Sequence, residues 1–149
     1  MKEKDLKQIE EVCILNDLHQ GIQMGLVGIH SVLDKIEHQK LLNHLKEQKL
    51  EYERLDDQVI HICKGYGIDD ESITKWESKM SELMTEVKLK FSKGDDKIVQ
   101  MMIDGTNKGI QAVYKSKNEY QGDDEELKEL IDDILKTEEH NLKELNIYL

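Results

Sequence analysis

The residues best suited to chemistry lie late in the chain. Glu138 and Asn141 sit one helical turn apart on an otherwise apolar stripe. A carboxylate and an amide so placed could offer oxygen ligands to a metal, or form a buried hydrogen-bonding pair. A second set, His30, Asp34 and His38, follows i, i+4, i+8 spacing, which on one helix face could clasp a surface zinc. A helical wheel places these three opposite the apolar face, where solvated side chains are the plainer expectation. His140 follows two acids but points away from the apolar stripe, and His19, His44 and His61 have no matched partners. No Ser-His-Asp grouping, phosphate-binding glycine loop or Cys-x-x-Cys motif is legible. One carboxylate and one amide do not make a metal centre, so a non-catalytic protein without a cofactor is expected.

The elements that hold these residues are helical. The chain has 149 residues, no proline, 5% aromatic and 36% charged side chains, a composition suited to helices and to one domain. Its net charge of −11 argues against nucleic acid or an anionic membrane as partner and leaves a protein partner or further copies of the chain. The basic residues Lys88, Lys90, Lys93 and Lys97 read as a solvated helix end. The N-terminal residues lack a signal-type apolar run, and nowhere do eighteen apolar residues follow one another. With Cys13 and Cys63 far apart, two reduced thiols in the cytoplasm are expected.

Apolar residues recur at helical period from Ile14 through Leu18, Ile22, Leu26, Ile29 and Leu33 to Ile36, then restart out of phase at Leu41. A turn near Glu37–Lys40 follows from that break. The second stripe runs Leu41, Leu45, Gln48, Tyr52, Leu55, Val59, Ile62. Gly65 and Gly67 offer a left-handed stop, and Asp69 or Asp70 a cap for the next helix. That helix carries Ile73, Trp76, Met80, Leu83 and Val87. Gly94 ends it, and Asp95 or Asp96 is expected to cap a helix with Ile98, Met102, Thr106 and Val113 inward. Gly122 marks the last turn, and Asp123-x-x-Glu126 reads as a capping box opening the final helix.

The chain repeats itself. Shifted by 84 residues, Gly21 falls on Gly105, Gly25 on Gly109 and Gly28 on Ala112; shifted by 86, Leu41 falls on Leu127 and Tyr52 on Glu138. A helical hairpin is therefore duplicated: hairpin one over about 5–65, a crossover containing its own helix over about 66–94, and hairpin two over about 95–148. Helix-interior glycines cost about 1 kcal/mol each relative to alanine. Close backbone approach of the two glycine-bearing helices is the expected compensation, with a homodimer seam as the other reading.

Two repeated hairpins joined by a long crossover resemble the ferritin-like superfamily over almost the whole chain. The pattern is similar to small bacterial ferritin-like proteins in its Met24-Gly25, its Gly105–Gly109 spacing and its Tyr148-Leu149 end. The resemblance implies an all-α ferritin-like four-helix bundle and, by analogy, a stress- or spore-associated accessory role. It also implies where a dinuclear metal site would stand, and the residues depart from it. The first and third core helices offer Ile22, Ile29, Thr106 and Val113, the second offers Tyr52 and Leu55, and only Glu138 and Asn141 echo the ligand motif. A degenerate metal site is the alternative reading. The repeat brings Tyr52 and Glu138 to one axis, so Glu138 is expected to be buried and hydrogen-bonded to Tyr52, with Gln48 or Asn141 as second partner. A small roll of the helix would instead take it to water.

Overall fold

The computed structural model describes residues 3–76 and 94–149, with side chains from residue 8 onward. All regular structure among them is helical: α1 (Glu3–Val32), α2 (Gln39–Gly65), α3 (Asp95–Glu119) and α4 (Glu125–Asn146), with a further helical stretch over 70–76. No helix among the described residues is long and apolar enough to cross a membrane.

α1 packs against α2 and α3, and α4 closes the ring against the same two helices. Neighbours run antiparallel. His19 of α1 meets Asp56 of α2 while Gln8, earlier in α1, meets Tyr66 beyond the end of α2. In the other hairpin, Tyr114 bonds Glu139 and Lys117 pairs with Asp132. α2 ends beside Glu11, whereas α3 begins beside Glu37 and His38, so residues 66–94 join opposite ends of the bundle. The periodic stripes fill the interior: Leu15, Ile29, Leu41, Leu45, Leu55, Ile98, Leu127, Ile131 and Leu145 are wholly buried. Met80, Leu83, Val87, Lys88, Lys90 and Lys93 lie outside the described residues.

The helix ends follow local chemistry, with three departures from expectation. α2 stops as expected: Gly67 adopts φ +77°, its N–H bonds Lys64, and the N–H of Ile68 bonds Cys63, which together form a Schellman motif. Asp69 caps the following stretch through the N–H of Ser72 at 2.8 Å. The first departure is α1, which ends at Val32, five residues before the expected turn. Leu33 and Ile36 still pack on the core from a non-helical segment. Asp95 is the reason, because its carboxylate accepts the N–H groups of Glu37 and His38 at 3.1 and 2.9 Å. That employment also explains the second departure: α3 is capped by Gly94, at φ +111°, without a side-chain bond. Third, Asp124 and not Asp123 caps α4, accepting from the N–H of Leu127 at 3.2 Å.

Candidate functional site

Glu138 lies on the buried face of α4 because Ile134, Leu135 and Leu142 on that face belong to the core. It is only 7% exposed, and Tyr52, facing it from α2, is 5% exposed. The Tyr52 hydroxyl and the Glu138 carboxyl are hydrogen-bonded, as expected. Burial pushes the Glu138 carboxyl up to about 7, and the bond from Tyr52 opposes that rise. The Tyr52 phenol is held well above its ordinary value, first by burial and then by the nearby Glu138 charge. Asn141 stands beside the phenol and acts the other way, although its Nδ2, like Nε2 of Gln48, makes no well-formed hydrogen bond.

Two of the glycines give this pair room, by a route different from the one expected. A Cβ on Gly25 would meet the Tyr52 ring at 3.1 Å, and one on Gly109 would meet Oε2 of Glu138 at 3.2 Å. Each glycine thus clears room for the long side chain across its own hairpin. Close approach of the α1 and α3 backbones is not what they serve. Gly28 alone looks across that seam, toward Met102 at 3.9 Å, while Cβ atoms at Gly21 and Gly105 would meet nothing within 4 Å. A small pocket of about 70 Å³ results between α1 and α3, with Tyr52 and Glu138 among its lining residues and Gly21, Gly109 and Ala112 along its sides.

His30, Asp34 and His38 are not brought together on one helix. α1 ends between the first two, and His38 is the N-cap of α2, its Nδ1 accepting from Leu41 at 3.4 Å. All three are exposed, and the His38 ring stands edge-on to Tyr148. Among the described residues no group of three or more His, Cys, Asp or Glu side chains is gathered as a metal-binding set.

Two polar networks escaped the sequence reading. His19, 1% exposed, places Nδ1 2.6 Å from Asp56, whose other oxygen accepts from Gln23 at 2.9 Å. The His19 ring also neighbours Trp76. At one end of the bundle, the Tyr66 hydroxyl lies against the carboxylates of both Glu11 and Asp124, and Tyr120 donates to Glu11 at 2.7 Å. Burial and those carboxylates raise both phenols. His19 and Asp56 each flank a stripe residue, Leu18 and Leu55, and that adjacency was the available signal. His44 and His140 both approach Glu144, at 3.6 and 3.0 Å.

A charged groove of about 820 Å³ lies between α2 and α4, bordered by Arg54, His61, Glu126, Asp133 and Lys136. No protein family, curated protein or solved structure matches the chain in the three comparisons made.

Proposed function

We propose that this chain is a non-catalytic, ferritin-like four-helix bundle of the cytoplasm, built from a duplicated hairpin, that acts through its surface or by assembly. Its partner is a second protein or further copies of itself, and the family resemblance points to a stress- or spore-associated accessory role. One observation carries this reading. Each buried carboxylate among the described residues is engaged by a partner on another element: Glu11 by Tyr66 and Tyr120, Asp56 by His19, Glu138 by Tyr52. Acids held this way join helices to one another, and paired buried groups of this kind serve structure before reactivity. The matched relations Gly25–Tyr52 and Gly109–Glu138 support the duplication. Tyr52 then stands at the core position where the resemblance would place a metal ligand. What remains outward is an acidic surface with a charged groove between α2 and α4.

Native mass spectrometry and elemental analysis of protein purified without chelator test the reading together. The expected result is an assembly or a bound protein with no stoichiometric iron. Two irons per chain would overturn it.

A further inference from the structure

A small pocket lies beside Glu138 between α1 and α3. Glu138 and Tyr52 are its buried polar members, while Ile22, Val113 and Ile134 give it apolar walls. At its exposed side stand Gly21, Ala112 and Asp17. Any side chain larger than hydrogen at Gly109 would press on the Glu138 carboxylate, and none at Gly21 meets a neighbour. The way from solvent to the carboxylate is therefore kept open by the absence of side chains.

We propose that this pocket binds a small primary ammonium group, of the size of methylammonium. Anions are disfavoured by Glu138 within and Asp17 at the rim. A pocket of about 70 Å³ holds only a few heavy atoms. A primary ammonium carries three N–H donors, and the Glu138 oxygens and the Tyr52 phenolic oxygen are acceptors for them. Its methyl group would lie on the apolar wall. A multivalent metal would want more ligands than one carboxylate and a phenol.

Binding is coupled to a proton. Burial leaves Glu138 partly protonated near neutrality, and a cation in contact favours the ionised form, so binding below about pH 7 releases a proton. The other titratable groups facing the pocket are Tyr52 from α2 and Asp17 from α1. Burial raises Asp17, and Lys115 of α3 counteracts that. α3 itself contributes Ser116, which does not titrate.

Calorimetric titration of the full chain with methylammonium chloride tests this, at pH 8 and pH 5.5, in buffers of different ionisation enthalpy. The expected result is saturable one-to-one binding at pH 8, weaker by about tenfold or more at pH 5.5, with proton release seen as a buffer-dependent heat. Glu138→Gln should abolish it. Ala112→Leu, on the exposed seam, should block the entrance while leaving the melting temperature unchanged, which separates lost binding from lost folding. Tetramethylammonium, too large to enter, should not bind. Absence of saturable binding, equal affinity for tetramethylammonium, or binding unaltered by Glu138→Gln in a folded protein would each overturn the proposal.

Discussion

A Cβ on Gly109 would lie 3.2 Å from Oε2 of Glu138, just as one on Gly25 would lie 3.1 Å from the Tyr52 ring. Gly25 and Gly109 lie on the first helix of each hairpin, α1 and α3, and the two long side chains they accommodate lie on the second, α2 and α4. At the centre of the bundle Tyr52 and Glu138 then bond to each other across α2 and α4. The cost of a glycine inside a helix is thereby offset by room for a buried polar pair.

Glycine substitutions should separate by environment. Gly25→Leu and Gly109→Leu force the Tyr52 ring and the Glu138 carboxylate to move and should each destabilise by about 1–3 kcal/mol. Gly21→Ala and Gly105→Ala, where the added Cβ meets nothing within 4 Å, should stabilise by about 0.4–1 kcal/mol. Urea denaturation of the four variants measures both signs. Stabilisation by both leucines would show that these glycines pack against nothing.

Stability should depend on pH through Glu138. A free glutamate has the reference value 4.5, and folded Glu138 titrates at about 7. Between those values the folded state binds the extra proton, so stability falls as pH rises through that window. Glu138→Gln keeps an acceptor for Tyr52 and removes the charge. It should match the parent protein below about pH 4.5 and exceed it by about 3 kcal/mol above pH 7.5. A difference that does not vary with pH would contradict the assignment.

The His19–Asp56 contact gives a third test. Asp56→Ala removes the acceptor of both His19 and Gln23 from a buried site and should destabilise by about 3 kcal/mol or more. Trp76, whose ring centre is 6.2 Å from that of His19, provides a fluorescence readout of unfolding. A loss under 0.5 kcal/mol would mean that water reaches the pair.

The two thiols should differ in reactivity. Cys13 is exposed, whereas Cys63 is buried, its thiol pushed up to about 11 by burial and by the neighbouring Asp56 carboxylate. A thiol reagent at pH 8 should label Cys13 in the native protein and Cys63 only on unfolding. Equal native labelling would contradict the packing of the α2 end.

The interior was legible in the sequence because helical period alone selects the core: the α2 stripe from Leu41 to Ile62 is buried at every position. The Tyr52–Glu138 pair was legible because a shift of 86 residues lays one apolar stripe on the other and Tyr52 on Glu138. The end of α1 was not, since the groups that bond Glu37 and His38 come from Asp95, nearly sixty residues away. Nor could His30, Asp34 and His38 be judged, because their spacing has meaning only on a continuous helix. His19 and Asp56 sit at stripe edges, where a polar residue looks the same whether it faces solvent or a partner. The number of glycines was informative, but their direction was set by which neighbouring side chain is longest.

The most direct test of this account is the titration of the Glu138 side-chain carboxyl, followed by carbon-detected NMR in the parent protein and in Tyr52→Phe. The expected midpoint is about 7 in the parent and higher in the variant, because loss of the phenol removes the hydrogen bond that favours the ionised carboxylate. A midpoint at the ordinary glutamate value, unchanged by Tyr52→Phe, would contradict the buried pair on which the account rests.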